Sequence, residues 1–225
     1  MLEKLNQYNL KASEIETLNT FQSRDGFVLL DEDGFEEMMD YFSQFPVYNN
    51  LIPLITDENS NYWCLYINGP MKSMVCYLSH EEPDLSPKFQ SVSNLLKVIN
   101  ENDDVYDFYD LAENNFDFPS KNIDGFEHRK MIIEELKEAF GNETDEDIRR
   151  QLGFSIIALT PTIEVESNIY LLLNDEDMYV QEQAIRSLGF HQYQPAVEKL
   201  NELKTTALKN GRKAIEAVLK KLNGA

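Results

Sequence analysis

The densest functional chemistry in the sequence is a run of carboxylates with aromatic residues between them. Seven Asp and Glu residues lie from Glu101 to Asp117, and no Lys or Arg interrupts them. Carboxylates at this density attract basic protein surfaces, and aromatic side chains supply buried anchors at interfaces. We therefore predict a partner-binding surface here. Its candidate residues are Glu101, Asp103, Asp104, Tyr106, Asp107, Phe108, Tyr109 and Asp110.

A second interpretation of the same run is a solvated helix end followed by a linker whose aromatic residues dock on a sheet. A second candidate patch for a partner is Asp31, Glu32 and Asp33, which precede an amphipathic pattern. Acids at this place are also typical of a helix N-terminus, because the helix dipole favours them. The spacing that follows does not fit a calcium-binding loop.

Patterns typical of enzymes are missing from the sequence. The three histidines form no metal-binding pair with each other or with cysteine, and no phosphate-binding glycine loop or nucleophile motif occurs. The segment from His80 to Asp84 (His-Glu-Glu-Pro-Asp) could hold a metal, but such a segment is more often a solvated turn. We expect no enzymatic activity and no catalytic, cofactor-binding or metal-binding residues.

The charge is concentrated in the first part of the chain. The 225 residues carry a net charge of −20, of which residues 1–126 contribute −16 and residues 127–225 contribute −4. Such a field repels nucleic acid and anionic membranes and attracts basic partners, although surplus acid also keeps a protein soluble. Without an apolar run of about 18–20 residues or a secretory signal pattern, we expect a soluble cytoplasmic protein. Cys64 and Cys76 are expected to be reduced and buried.

The order of predicted elements indicates an α+β domain over residues 1–112. Apolar residues at helical spacing predict helices near residues 13–21, 34–44 and 89–99. Aromatic and β-branched residues predict a β-hairpin over 61–79, and a strand at 51–56 is expected at a sheet edge because of Pro53. Pro83 and Pro87 are predicted to bracket a loop. An acidic and aromatic linker is expected over 113–126.

Residues 127–225 are predicted to be helical throughout and contain an internal repeat. The segments 145–154 and 181–190 share five of ten residues at an offset of 36, including Gly153 with Gly189 and Phe154 with Phe190. A repeat of about 35 residues that contains two helices is typical of a solenoid, in which neighbouring helix pairs stack. The sequence therefore predicts an all-α helical-repeat domain here.

The stretch from Asn61 to His80, the acidic loop with Glu82 and Asp84, and the helix over 91–100 together resemble the SUKH superfamily. Trp63 in an aromatic strand and Gly69 in the following turn occupy matching places. The resemblance covers roughly residues 13–100. It implies a mainly antiparallel, twisted sheet with helices and no enzymatic activity. The second domain is similar to HEAT repeats.

The SUKH superfamily includes fungal regulators of cell-wall glucan synthesis and many bacterial immunity proteins. The resemblance thus implies an immunity protein that neutralises a toxin domain, often a nuclease, by direct binding. The alternative is a regulatory or scaffold protein that binds a protein partner through its helical repeats. We expect a basic protein partner, and neither nucleic acid nor a membrane.

Overall fold

The computed structural model of the protein describes residues 2–8, 10–81, 83–106, 108–111, 115–121 and 125–224. The chain forms two compact units, residues 1–118 and residues 119–225. The first unit extends beyond the predicted end at residue 112, and the division falls inside the predicted linker 113–126. The α+β class is confirmed, and every strand of the described residues lies in the first unit.

The first unit is built on a five-stranded antiparallel sheet. Consecutive strands pair directly, so that their order in the sheet is their order in the chain. The strands are β1 (Val28–Leu29), β2 (Leu51–Thr56), β3 (Tyr62–Tyr66), β4 (Val75–Leu78) and β5 (Pro87–Phe89). The helices are α1 (Leu2–Leu5), α2 (Ala12–Thr20), α3 (Glu32–Phe42) and α4 (Val92–Glu101), with 3-10 turns at Asn6–Tyr8, Pro46–Tyr48 and Phe108–Asp110.

Two expectations for the sheet were wrong. The segment Pro87–Phe89 forms β5, where we predicted a loop and the start of a helix. Three residues are too few to show the alternation that identifies a strand in sequence. Nor is β2 an edge strand, because β1 pairs with its residues Ile55 and Thr56. Pro53 is tolerated because the two-residue β1 does not extend to it.

The core of the first unit lies on one face of β3. Trp63, Leu65 and Ile67 share that face, as alternation predicts, and all three belong to one buried cluster. Both predicted helical stripes contribute to the cluster, through Phe35 of α3 and Val92 of α4, among others. Trp63 is only 2% exposed. The prediction that this strand face packs on the helices is confirmed.

Cys64 and Cys76 lie directly opposite each other on β3 and β4. Both are fully buried and form no disulfide, as expected. Their direct pairing across the sheet is a feature that the sequence did not indicate. Burial raises the pKa of the Cys64 thiol well above its ordinary value, and the neighbouring Cys76 raises it further.

All regular secondary structure in the described residues of the second unit is helical. Its helices are α5 (Phe126–Asn142), α6 (Glu146–Leu159), α7 (Val165–Asn168), α8 (Met178–Phe190), α9 (Ala196–Leu203) and α10 (Lys209–Asn223). Helix α5 packs on α6, α6 on α8, and α8 on α10, so that four long helices form a continuous row. Among the helices that the structure describes, none is long and apolar enough to cross a bilayer.

The repeated glycines occupy equivalent packing positions in this row. A Cβ atom at Gly153 of α6 would lie 3.1 Å from Val180 of α8, and one at Gly189 of α8 would lie 3.0 Å from Val218 of α10. Each glycine therefore lets the next helix approach closely. The aspartates that cap α6 and α8, Asp145 and Asp177, are only 32 residues apart. The sequence repeat at an offset of 36 therefore follows the packing positions of the glycines and not the starts of the helices.

Candidate functional site

The acidic loop (residues 101–106 and 108–111) begins where α4 ends, and the half-buried guanidinium of Arg24 holds its backbone. The last carbonyls of a helix have no partner within the helix, so that they need donors from elsewhere. Arg24 donates to the carbonyl oxygens of Ile99 at 3.0 Å and Asn102 at 2.8 Å, and also to that of Val105. One side chain thus holds three backbone carbonyl groups, using the several donors of a guanidinium.

Gly26 brings the acidic loop into close contact with the turn that carries Arg24. The turn is closed by two hydrogen bonds between the backbones of Arg24 and Phe27, at 3.1 and 2.9 Å. Gly26 has a φ of +77°, and a Cβ atom there would lie 1.4 Å from the carbonyl oxygen of Tyr106. No other residue type fits this approach, because every side chain begins with a Cβ.

The loop so held presents acids and one aromatic ring to solvent. Glu101, Asp103, Asp104 and Asp110 are exposed, and Tyr106 is 58% exposed. Lys97 lies 3.9 Å from Glu101 in an exposed pair, which contributes little. Neither Asp103 nor Asp104 has an ion-pair partner among the described residues. Asp103 and Asp104 therefore present negative charge to solvent without an ion pair in the described part of the chain.

Phe108, which we predicted as a partner-binding residue, packs against the core of the first unit. Its ring stacks on Tyr77 at a centroid distance of 4.1 Å and contacts Trp63 at 5.6 Å. Phe116 also stacks on Phe108, at a centroid distance of 5.3 Å. For these two residues the structure favours the second interpretation of the sequence, in which aromatic residues dock on the sheet. Asp107 and the side chain of Tyr109 lie outside the described residues.

Asp117, at the end of the acidic run, also has a structural role. Its carboxylate accepts hydrogen bonds from the backbone N–H of Gln90 at 2.8 Å and from the side-chain amide of Asn94 at 2.7 Å. These contacts fasten the returning chain to the start of α4. Among the described acids of the run, the exposed ones are therefore those of the loop.

The second predicted patch differs from the first because a base lies within it. Asp31 caps α3 by accepting the backbone N–H of Gly34 at 2.8 Å. Glu32 pairs with Lys4 at 3.1 Å, and the hydrogen bond and charge of Lys4 lower the pKa of Glu32. Asp33 is exposed in the first turn of α3. The structure thus gives Asp31 a capping role and partly neutralises its neighbour.

The segment that could have held a metal is used for local structure. Asp84 pairs with Lys88 at 2.9 Å and accepts the backbone N–H of Ser86. His80 is hydrogen-bonded through Nδ1 to the side-chain oxygen of Asn61 at 2.9 Å. Glu82 lies outside the described residues, and the described ones contain no group of three potential metal ligands.

Arg24 and Gly26 are the site residues that sequence reasoning missed. One signal for Arg24 is present in the sequence, since it is the single arginine before residue 129. The arrangement around Arg24 is suited to recognition: it combines a fixed backbone, the exposed ring of Tyr106 and the exposed carboxylates of Asp103 and Asp104. No family model, curated protein or solved structure matches this chain.

Proposed function

We propose that the chain is a non-enzymatic immunity protein, which neutralises a basic toxin domain by binding it directly. The observation that carries this proposal is the exposed Tyr106 on an acidic loop whose backbone is held by Arg24. A loop that is already ordered loses little conformational entropy on binding, which favours affinity. Exposed carboxylates accelerate the encounter with a basic partner.

The charge distribution supports the same proposal. Residues 1–118 carry 22 Asp and Glu against 6 Lys and Arg, a net charge of −16. The nucleic-acid cleft of a nuclease toxin is basic because it binds phosphates, and an acidic protein surface can occupy it. We propose that the first unit is a SUKH-like domain and the second a HEAT-like repeat, acting together in the cytoplasm without a cofactor.

A second candidate is a scaffold that binds its partner through the repeats. One observation favours it: Met178 and Tyr179, at the start of α8, are both exposed, and the guanidinium of Arg150 lies 5.4 Å from the Tyr179 ring centroid. Exposed aromatic residues beside arginine are common at protein interfaces. This candidate locates the interface on the second unit and so makes a different prediction from the acidic loop.

The test begins with affinity capture of the partner from the native cells and its purification. Association is then measured at two ionic strengths for the parent and for the variant Asp103→Asn, Asp104→Asn and Asp110→Asn. The matched control neutralises three exposed acids of the second unit, in the variant Glu138→Gln, Glu198→Gln and Glu216→Gln. Both variants change the net charge equally. Asp110 accepts the backbone N–H of Tyr106 at 3.3 Å, and the side-chain oxygen of asparagine can still accept it, so that a difference between the variants reports on the position of the charges.

We expect the loop variant to associate about tenfold more slowly at low ionic strength, with a weaker salt dependence. Tyr106→Ala should speed dissociation by the equivalent of about 1–3 kcal/mol. Co-expression with the parent should also relieve the toxicity of the captured protein. Equal association rates for the loop variant and its control would place the contact elsewhere, and a captured protein without toxicity would contradict the immunity function.

A further inference from the structure

Two large aromatic side chains at the end of α3 are exposed although buried positions lie next to them. Tyr41 is 45% exposed and Phe45 is 41% exposed, and their ring centroids are 5.1 Å apart. Tyr48 joins them, at 5.9 Å from Phe45 and 6.3 Å from Tyr41. We name Tyr41, Phe45 and Tyr48 the α3 aromatic platform.

The platform is fixed by the backbone that follows α3. The N–H of Phe45 donates to the carbonyl of Phe42 at 3.1 Å, and the N–H of Tyr48 donates to that of Phe45 at 3.0 Å. The buried ring of Phe42 lies 4.9 Å from Tyr48 and anchors the group to the unit. The rings are therefore held in position by structure on one side and face solvent on the other.

The surface beside the platform is acidic. Glu37 lies one helical turn before Tyr41, and Asp40 precedes Tyr41 directly. Neither carboxylate forms an ion pair with any residue in the described part of the chain. Burial raises the pKa of Tyr62 on β3, and the negative charges of Glu37 and Asp57 raise it further.

We propose that the α3 aromatic platform binds an arginine of a basic protein partner, whose guanidinium stacks on the exposed faces of Tyr41 and Phe45 while Glu37 offsets its charge. Guanidinium groups stack on aromatic rings better than ammonium groups do, and nearby acids strengthen the attraction. The proposal rests on the proposed function for the basic character of the partner. It adds a second contact, which is selective for arginine over lysine.

A second copy of the chain is a poorer occupant than a basic segment. Association of two copies through this face would bring together two units that each carry a net charge of −16. Like charges at an interface oppose association, whereas the exposed carboxylates of Glu37 and Asp40 would attract a basic segment. The negative charge around the platform therefore favours a basic segment over a second copy of the chain.

The test uses two synthetic peptides of equal charge, one alternating arginine with glycine and the other alternating lysine with glycine. Each is titrated into the whole protein by calorimetry at low ionic strength. The diagnostic variant is Tyr41→Leu with Phe45→Leu, which keeps apolar side chains for folding but removes the rings. The control is Met131→Ala, which removes an exposed apolar side chain of the second unit. The loop variant with Asp103, Asp104 and Asp110 changed to Asn is measured in parallel.

We expect the arginine peptide to bind the parent more tightly than the lysine peptide, and the double-leucine variant to bind it about fivefold more weakly. The control should bind as the parent does. Equal binding by the parent and the double-leucine variant, or no arginine preference, would overturn the platform proposal whatever the loop variant does. A self-associating parent that becomes monomeric with the two leucines would also overturn it. If the platform variant loses peptide binding and the loop variant does not, the platform proposal is supported and the proposed role of the acidic loop in binding a basic partner is contradicted.

Discussion

Replacing Gly26 with alanine isolates the close approach that positions the acidic loop. Gly69, in the same unit, has nearly the same backbone conformation, with a φ of +75° against +77° for Gly26. The two differ in their surroundings, because a Cβ at Gly69 meets nothing within 4 Å, whereas a Cβ at Gly26 would lie 1.4 Å from the Tyr106 carbonyl oxygen. Gly69→Ala is therefore the matched control.

The expected cost of each substitution follows from these contacts. A left-handed alanine costs about 1–2 kcal/mol, partly offset because alanine restricts the unfolded chain more than glycine does. We thus expect Gly69→Ala to lower the free energy of unfolding by about 1 kcal/mol. Gly26→Ala must also displace backbone by about 2 Å and weaken the bond from Arg24 to Val105, so that its total should reach about 3–4 kcal/mol.

The measurement is urea unfolding followed by tryptophan fluorescence. Trp63 is the single tryptophan of the chain and lies in the core of the first unit, so that its signal reports on that unit. Hydrogen exchange of residues 99–106 should become faster in Gly26→Ala and stay unchanged in Gly69→Ala. Equal destabilisation by the two alanines, within about 0.5 kcal/mol, would show that the contact with Tyr106 does not constrain the loop.

Two further predictions concern buried titratable groups. His191 is 4% exposed and is hydrogen-bonded to Thr162 at 2.9 Å; burial, with a smaller effect of Lys121, lowers its pKa from 6.5 to about 4. Above pH 6.5 His191 is neutral in both the folded and the unfolded state. Between pH 6.5 and pH 4 the unfolded state binds a proton at His191 and the folded state does not. The free energy of unfolding of the second unit should therefore fall by up to about 3 kcal/mol as the pH is lowered through this range. Unfolding followed by circular dichroism should show this loss in the parent and in exposed His128→Asn but much less in His191→Asn, and a parent curve as flat as that of His191→Asn would contradict the assignment. For the cysteines, a thiol reagent should react slowly with Cys64 and Cys76 in the native protein and rapidly after denaturation, because both are buried and the pKa of Cys64 is raised; fast reaction in the native protein would show that the sheet opens readily.

Local patterns in the sequence were enough to predict the class of the fold. Helical spacing of apolar residues identified the regions of α3 and α4, and aromatic and β-branched residues identified β3 and β4. These predictions succeed because periodicity is a property of neighbouring residues and does not depend on what they pack against. The concentration of negative charge in the first part of the chain could also be predicted, because net charge depends only on the number of acidic and basic residues.

The arrangement of the candidate site was decided by tertiary structure. Arg24 contacts carbonyls that lie 75 to 81 residues away along the chain, and no local pattern specifies such a partner. The same holds for Phe108, whose aromatic character suited either an interface or the core until its stacking on Tyr77 decided between them. Sequence by itself determined which residues are acidic, aromatic and periodic. Only the packing of distant segments determined which of those side chains reach solvent, because burial depends on neighbours in space.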